Sequence, residues 1–457
     1  MRHNGPVMQE PPSPTPVALP SRDDPTIAAL SEPIGGPAGA RAVPARRWWG
    51  PVRVALAVAC AVFALGVIAD TPCRENSWAE RDHEMWTSLC YSDISFLYRE
   101  RGFSEGQVPY ADTRLEYPVI LGAIMQGSAY IAQATTTEDA GPVAESGRFY
   151  DVTAVVLGIA ALITVFATAR TIRRRPWDGL LVAASPVLLL SATINWDLLA
   201  VAATSLAILA WTRRRGALSG VFLGLGTAAK LYPVLLLGAL LLVVLRSPRR
   251  RQDAGQFAAA VGAAIVTWAA VNLPVYLWAP DGWKAFFTFN TERVADFGSI
   301  WFALDLNDVS LPEPINLVVV AAAGMLLLAI VVLALTAPEP PRLAQLAFLA
   351  VAAFLLVSKV WSPQYALWLL PLAVLARPRW RDVMIWQLAE VVYFVAVWWY
   401  LAGELTPAQY GAAVAIRVTG LLWLVAFVVR DISRPSYDPV RPYADPLAPV
   451  RLNLART

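Results

Sequence analysis

The chain has 457 residues, 57% of them hydrophobic, and a mean hydropathy of +0.51. Soluble domains do not have this composition, and several apolar runs approach the roughly 20 residues that a helix needs to cross a bilayer. A net charge of only +3 gives no support for nucleic-acid binding, and two histidines leave carboxylates as the groups for any proton transfer. A β-barrel would show alternation instead of continuous apolar runs, so the sequence predicts an all-α polytopic membrane protein.

The two ends of the chain differ in composition from the part between them. Residues 1–50 are rich in proline and poor in large apolar side chains, so we expect a disordered tail. Arginines precede the first apolar run, 54–69, and the positive-inside rule therefore places this tail in the cytoplasm and the loop at 70–118 outside. We expect residues 51–430 to form the transmembrane domain and residues 431–457 to form a second disordered cytoplasmic tail.

Further apolar segments recur along the chain, and some are short, so we expect about 11 to 13 membrane spans. They lie at 115–134, 150–169, 179–194, 198–211, 217–229, 231–245, 257–278, 315–335, 343–357, 365–375, 383–401 and 410–429. Arginine clusters should mark the cytoplasmic side, and they require 217–245 to be a hairpin bent near Lys230 and Pro233. The segment 115–134 breaks this scheme, because it is either re-entrant or a local exception to the rule.

A second polar loop, 279–314, is rich in tryptophan and phenylalanine. These side chains favour the boundary between lipid and water, so we expect an interfacial helical region on the outer leaflet. The arginine clusters place this loop and the stretch 359–364 on the same extracytoplasmic side as the first loop.

The first loop, 70–118, contains an acid in an apolar pattern. Asp93 lies in the middle of a stripe of apolar residues near helical spacing, formed by Trp86, Leu89, Cys90, Ile94, Phe96 and Leu97. A carboxylate there is costly unless it is paired or used, so we predict a catalytic base at the mouth of a membrane cavity. The alternative is a helix cap or a salt bridge with Arg101 or Arg114. The rival acids are Glu84, Glu100, Asp112 and Glu116.

The chain contains Cys60 in the first apolar run and two further cysteines, Cys73 and Cys90, in the first loop. If the loop is extracytoplasmic, the two loop cysteines could form a disulfide. No CxxC pair or histidine cluster suggests a metal site.

Lysine is rare in this chain, which contains only Lys230, Lys284 and Lys359. Lys230 lies between two apolar half-helices, where a charge is costly and a phosphate is a suitable partner for an ammonium. Snorkelling of its side chain to the membrane interface is the alternative. Lys359 lies in a stretch that also contains Gln364 and could bind an anionic headgroup or sugar hydroxyls, or could be an ordinary polar loop. Arg293 is a further candidate phosphate ligand.

Asp197, in the stretch Asn195-Trp196-Asp197, also stands at the start of an apolar segment. It could pair with a lysine, shape an acceptor site or cap the helix that follows. The sequence contains no Walker A, GxGxxG, HExxH or GxSxG motif, so ATP-driven transport, nicotinamide chemistry, zinc proteolysis and α/β-hydrolase chemistry have no support.

The first loop resembles that of the glycosyltransferase 87 family, within the GT-C superfamily. Three stretches carry the resemblance: Asp93-Ile-Ser-Phe-Leu-Tyr98-Arg99, Gly106-Gln-Val-Pro109-Tyr110 and Glu116-Tyr117-Pro118. The stretch Lys230-Leu-Tyr-Pro233 is similar to a lysine-containing helix bend in the same proteins. The resemblance extends from about residue 46 to residue 430 and implies a GT-C fold.

This resemblance implies an integral membrane glycosyltransferase that uses a polyprenyl-phosphate sugar, most simply mannose, as its donor. The acceptor would be an envelope glycolipid or polysaccharide on the extracytoplasmic face of the plasma membrane. Asp93 would be the catalytic base and the reaction would invert the sugar, with no cofactor and no obligatory metal. The expected substrate-binding residues are Lys230, Lys359, Arg293, Gln364, Tyr117 and Glu116.

Two other functions remain open from sequence. A transporter or flippase for lipid-linked sugars would also need an acid and a lysine in a cavity, although it would not need the long first loop. A non-catalytic scaffold of an envelope-synthesis complex would make the acids dispensable.

Overall fold

A computed structural model describes residues 17–32, 50–75, 78, 83–137 and 141–441. Over these residues the secondary structure is helical, without a β-strand beyond one isolated bridge between Pro109 and Thr113. The prediction of an all-α polytopic membrane protein is confirmed.

The helices up to residue 245 include several short ones. In chain order they are α1 (Pro20–Asp23), α2 (Pro25–Ser31), α3 (Pro51–Ala69), α4 (Thr71–Glu75), α5 (His83–Thr87), α6 (Asp93–Glu100), α7 (Val119–Thr135), α8 (Gly141–Thr171), α9 (Gly179–Ala183), α10 (Pro186–Ser191), α11 (Asp197–Thr212), α12 (Gly216–Ala229) and α13 (Leu235–Leu245).

The remaining helices are longer on average. They are α14 (Arg250–Trp278), α15 (Pro280–Glu292), α16 (Ile300–Asp305), α17 (Ile315–Thr336), α18 (Leu343–Val357), α19 (Ala366–Ala376), α20 (Trp380–Leu401) and α21 (Pro407–Ser433).

Six described helices are long and apolar enough to cross a membrane, namely α3, α8, α14, α17, α20 and α21. Five shorter apolar helical segments of 10 to 17 residues accompany them, and these contain α11, α12, α13, α18 and α19. The helices follow the apolar segments that the sequence predicts. The number of spans stays a prediction, because length and composition alone do not show which of the shorter helices cross.

One predicted segment, 179–194, is divided into two helices. The first helix, α9, ends at Ala183. Ser185 caps α10, where its hydroxyl accepts hydrogen bonds from the amides of Val187 and Leu188 at 3.1 and 3.3 Å. Pro186 occupies the first turn of α10, as its fixed φ favours. The chain therefore turns at this point inside the bundle.

The centre of the bundle is formed by α18 and α19. Every residue of α19 is buried, and nearly all of α18 is buried as well. A helix that is apolar on all sides belongs inside a bundle, whereas α17 has only Ala334 buried and exposes apolar side chains along its length. The same central helices lead to the candidate site, because α19 begins beside α11 and the bend after α12.

The ends of the described chain are more ordered than the sequence predicts. In the segment expected to be a disordered tail, α1 and α2 form, and the buried Asp24 accepts hydrogen bonds from the amides of Thr26 and Trp380. At the other end α21 continues to Ser433, and buried Asp438 pairs with Arg342 at 2.8 Å. Residues 1–16, 33–49 and 442–457, which the same predictions include, lie outside the described residues.

The first loop folds onto the bundle. A disulfide joins Cys73 to Cys90, as the sequence had left open, and Cys60 is a free thiol on the exposed side of α3. The disulfide closes the part of the loop that contains α4 and α5, and α6 follows directly after it. In the second polar loop, 279–314, α15 and α16 form the expected helical region.

Candidate active site

Asp93 begins α6 at the point where the first loop meets the bundle. Ser92 caps this helix, since its hydroxyl accepts a hydrogen bond from the amide of Ile94 at 3.2 Å. The amide of Asp93 donates to the carbonyl of Ile194 at 2.8 Å, and the hydroxyl of Ser92 donates to the carbonyl of Thr193 at 2.7 Å. These bonds fix the start of α6 against the turn that precedes α11.

The predicted apolar stripe around Asp93 is wrong. Helix α5 ends at Thr87, and Leu89 has a positive φ of 58° that does not continue a helix. The next helix, α6, starts at Asp93. Leu89 and Cys90 therefore do not share a helix face with Asp93, because the disulfide at Cys90 and the cap at Ser92 separate the two helices. The acid is enclosed by tertiary packing and not by its position on an amphipathic helix.

The Asp93 carboxylate belongs to an enclosed group of side chains where the first loop meets the bundle, together with Lys230, Asp197, Tyr117 and Tyr365. We call this place the crevice, and the three charged groups its floor. Protein atoms surround the Asp93 carboxylate, yet the residue keeps some accessible surface. The Tyr91 hydroxyl donates a hydrogen bond to its Oδ1. Burial raises the pKa of Asp93, and the Tyr91 hydroxyl and the charge of Lys230 oppose this rise. Such a carboxyl group can accept a proton more readily than an exposed aspartate.

Lys230 forms an ion pair with Asp197 beside this acid. The Lys230 Nζ lies 2.8 Å from Asp197 Oδ1, and the Nε1 of Trp368 donates to Asp197 Oδ2 at 2.9 Å. Asp197 is completely buried, whereas the Lys230 side chain is 14% exposed. The ion pair with Asp197 excludes snorkelling of Lys230 to the interface, and it answers the open question about Asp197, which pairs with a lysine.

The bend that the sequence predicts at Lys230 is present. The residue follows α12 in an extended conformation, with φ −152° and ψ 148°, and a short 3₁₀ turn at Tyr232–Val234 precedes α13. The N-terminus of α11, in turn, has no side-chain cap from Trp196, and Asn195 Oδ1 accepts a hydrogen bond from the Asp197 amide at 3.0 Å. The break before α11 and the bend after α12 thus bring the charges of Asp197 and Lys230 together.

Two aromatic rings flank the ammonium group. The Nζ of Lys230 lies 5.0 Å from the centre of the Tyr117 ring and 5.8 Å from that of Tyr365. The Tyr365 ring stacks on Trp368 at 4.1 Å, and the Tyr117 ring packs edge-on against Trp196 at 5.7 Å. The rings restrict the lysine to the crevice floor.

Two other predicted substrate-binding residues, Arg293 and Lys359, belong to the loops beside Asp93 and Lys230. Arg293 pairs with Asp296 at 2.5 Å and lies close enough to Tyr365 and Tyr117 to interact with them electrostatically. The Lys359 ammonium donates to the backbone carbonyls of the second loop, which include that of Arg293, and so is not part of the crevice floor.

Glu116 lies close enough to Asp93 to interact with it electrostatically, although its own partner is an arginine. Gln364 is buried at the start of the helical segment that leads into α19. Glu116 forms a two-bond pair with Arg101, with distances of 2.6 and 2.8 Å. Glu116 also lines a polar cleft of about 600 Å³ between the first loop and α15, opposite Lys284.

The rival acids differ from Asp93 in their surroundings. Glu84, Glu100 and Asp112 are exposed, and the Asp112 carboxylate accepts a hydrogen bond from the Val108 amide at 2.9 Å. No role had been assigned to Tyr91 from sequence, and pairing of Asp197 with a lysine was one of three alternatives. Tyr91 carries no sequence signal beyond its nearness to Asp93, whereas Asp197 stands out as an acid at the start of an apolar run. In the described part of the chain no three His, Cys, Asp or Glu side chains are grouped as metal ligands would be.

These features define a class of protein: a helical membrane protein with a buried acid and an ion-paired lysine where its first loop meets the bundle. Residues 143–358 match the model of glycosyltransferase family 87, a family of membrane glycosyltransferases. The resemblance stated from sequence is confirmed, and membership of the GT-C superfamily is consistent with it. The matched range contains Asp197 and Lys230 and begins after Asp93. A search of curated proteins finds no match to this chain.

Proposed function

We propose that this glycosyltransferase transfers a sugar from a polyprenyl-phosphate donor to a glycolipid or polysaccharide acceptor of the envelope. The proposed sugar is mannose. The observation that carries the proposal is the enclosed Asp93 carboxylate, which lies beside the Lys230–Asp197 pair in a crevice lined by Tyr117 and Tyr365. A donor of this kind brings its own lipid anchor, so the chain needs no nucleotide-binding motif.

In the proposed reaction Asp93 acts as the general base. The acceptor hydroxyl attacks the anomeric carbon from the face opposite the phosphate, and its proton passes to the Asp93 carboxylate. A new carbon–oxygen bond forms, the bond to the phosphate oxygen breaks, and the electron pair leaves with the polyprenyl phosphate. The configuration of the sugar inverts in this single displacement. General-base assistance of this type contributes roughly 10²- to 10⁴-fold to the rate.

The leaving phosphate gains negative charge and requires a cation nearby. Lys230 supplies that charge at the crevice floor, and Arg293 supplies it from the second loop, close to Tyr365. Both cations already have a carboxylate partner, Asp197 and Asp296 respectively. We therefore propose that the phosphate shares these cations with their partners.

We propose that the site faces the extracytoplasmic side of the plasma membrane. The disulfide between Cys73 and Cys90 supports this orientation, because such bonds persist in oxidising compartments. The arginine clusters at 213–215 and 377–381 lie at the far ends of α11 and α19, away from the crevice, as the positive-inside rule requires.

The test is an assay of isolated membranes that carry the wild-type chain, Asp93→Asn or Asp112→Asn at matched expression. With radiolabelled polyprenyl-phosphate mannose, we expect labelled glycolipid from wild type and from Asp112→Asn. We expect Asp93→Asn to lose about a hundredfold or more of this activity. Equal product from both variants would exclude Asp93 as the base and leave the transferase function intact.

The same assay separates the other functions. A flippase would move the lipid-linked mannose across the bilayer without consuming it, and a scaffold would do neither. Consumption of another polyprenyl-phosphate sugar, such as glucose or arabinose, would replace mannose as the donor and retain the reaction.

A further inference from the structure

A buried ion pair lies behind the crevice, between α20 and α21. The Nε of Arg417 lies 2.8 Å from Glu390 Oε2, and the side chains are 0% and 3% exposed. A buried pair of this kind seldom stabilises a fold more than apolar side chains of the same volume would. We therefore look for the role of this pair in the other groups that the Arg417 guanidinium contacts.

The Arg417 guanidinium also binds the backbone of the segment 358–363. It donates to the carbonyl of Trp361 and, at 3.2 Å, to the carbonyl of Ser362. The rings of Trp361 and Tyr393 lie over its two faces, each with its centre 4.1 Å from the guanidinium carbon. Five directed donors in one rigid plane suit this task, which a lysine ammonium could not perform in the same geometry.

A second segment, 293–299, closes over the same group. Gly298 has a φ of +80°, and a Cβ built on it would lie 1.9 Å from the Trp361 carbonyl oxygen. The Gly298 amide donates to the Tyr410 hydroxyl at 2.8 Å, and the Trp361 amide donates to the Phe297 carbonyl at 3.2 Å. The two segments therefore meet over Arg417 in contact that only glycine permits.

These two segments contain the candidate phosphate ligands outside the crevice floor. The Asp296 amide donates to the Lys359 carbonyl at 2.8 Å, and the Lys359 ammonium donates back to the Arg293 carbonyl. Arg293 in turn pairs with Asp296 at 2.5 Å. A continuous set of contacts thus runs from the guanidinium on α21 to the Arg293 side chain beside the crevice.

We propose that Arg417 is a positioning residue that fixes the segments 293–299 and 358–363 against each other, so that Arg293 meets the phosphate of the lipid donor in one defined place. This inference rests on the proposed use of a polyprenyl-phosphate donor. A displacement of about 1 Å in such a group can cost roughly a hundredfold in activity, although the displaced group lies away from the reacting atoms.

The first test compares Gly298→Ala with Gly403→Ala in the purified full chain in lipid nanodiscs. Both glycines have a positive φ, +80° and +83°, but a Cβ at residue 403 would meet no atom within 4 Å. The alanines therefore introduce the same backbone strain, and only one of them forces the segments apart. With polyprenyl phosphate as the probe, we expect the Kd to rise about tenfold or more in Gly298→Ala and to stay within about twofold in Gly403→Ala.

The second test compares Arg417→Lys with Arg377→Lys, since both arginines lie in buried ion pairs. Hydrogen exchange is measured at the amides of Gly298 and Trp361. We expect faster exchange at both amides in Arg417→Lys and unchanged exchange there in Arg377→Lys, with polyprenyl phosphate binding weakened only in the former. If Arg417→Lys does not fold, Gly298→Ala is used for both readouts.

The outcomes separate this inference from the proposed function. If wild type binds polyprenyl phosphate and the Kd is the same in Gly298→Ala and Gly403→Ala, Arg417 does not position a donor ligand and the inference is overturned. Unchanged exchange at both amides in Arg417→Lys would overturn it as well. If wild type does not bind polyprenyl phosphate, the proposed donor is wrong and the inference, which requires that donor, falls with it.

Discussion

The pairing of buried carboxylates differs between the two ends of the central helices. At the end with the arginine clusters, Arg377 lies between Asp382 and Asp431, with distances of 2.7 and 2.5 Å, and Arg175 pairs with Asp178 at 2.7 Å. At the crevice end, Lys230 pairs with Asp197, and no ion pair of Asp93 is found within the described part of the chain. At the end with the arginine clusters, each of these three acids thus pairs with a guanidinium. At the crevice end, Asp93 has no cation of its own.

The difference has a physical meaning. A guanidinium holds carboxylates in a fixed geometry and stays charged at every pH that matters, so such pairs hold helices together. An enclosed carboxylate without its own cation has a raised pKa and costs stability, which is the arrangement that proton transfer requires. The contrast distinguishes a structural charge network from a site of chemistry on the same helices.

Removal of the cation at the crevice end should have the largest effect. Lys230→Met would leave Asp197 buried and unpaired, so we expect a loss of about 3 to 5 kcal/mol in the free energy of unfolding. The double variant Lys230→Met/Asp197→Leu should recover much of that loss, because it removes both charges, and should remain inactive. Thermal unfolding and transferase assays of the two variants measure this. A double variant with wild-type activity would exclude a role for the pair in catalysis.

The disulfide should have a smaller effect that is confined to the first loop. Cys73 and Cys90 are separated by 17 positions in the sequence. Closing a loop of that size stabilises a fold by roughly 3 kcal/mol, so Cys73→Ser should lower the free energy of unfolding by about that amount. Activity should fall with it, because α6 follows directly after the closed loop. Cys60→Ser, at an exposed free thiol, is the matched control and should change neither quantity.

The Tyr91 hydroxyl should tune Asp93 without supporting the fold. Its hydrogen bond favours the charged carboxylate, so Tyr91→Phe should raise the pKa of Asp93 further. A base with a higher pKa is protonated at higher pH, and the acidic limb of the pH–rate profile should therefore move to higher pH. Tyr150→Phe removes a similar hydroxyl, 2.5 Å from Asp70 in the same loop region, and should leave the profile in place. Equal shifts in both variants would contradict the role assigned to Tyr91.

The sequence predicted the parts of this molecule that depend on local pattern. Continuous apolar runs gave the helices, and a lysine with a following proline gave the bend at Lys230, because both signals lie within a few residues of their consequences. The interpretation of Asp93 as the centre of an amphipathic helix failed, since a positive φ at Leu89 and a cap at Ser92 interrupt the helical period. Periodicity alone does not reveal such an interruption.

The contacts that define the crevice join residues far apart in the sequence, so local sequence patterns do not predict them. Lys230 and Asp197 are 33 positions apart, and Trp368 reaches Asp197 across 171 positions. Their meeting depends on how α11, α12 and α19 pack, which a single sequence does not specify. Arg417 is a similar case, because in sequence it is one arginine within the last apolar segment, and its partners come from α20 and from the loop before α19.

The most direct test compares Asp93→Asn with Asp382→Asn, one acid from each end. For each variant, transferase activity per folded molecule and the thermal unfolding temperature are measured in the same preparation. We predict that Asp93→Asn loses about a hundredfold or more in activity and is at least as stable as wild type, because it removes an enclosed carboxylate that has no cation of its own. Asp382→Asn should unfold at a lower temperature and keep its activity per folded molecule. An active Asp93→Asn variant, or a loss of stability alone in both variants, would contradict the division between a site of chemistry and a structural network.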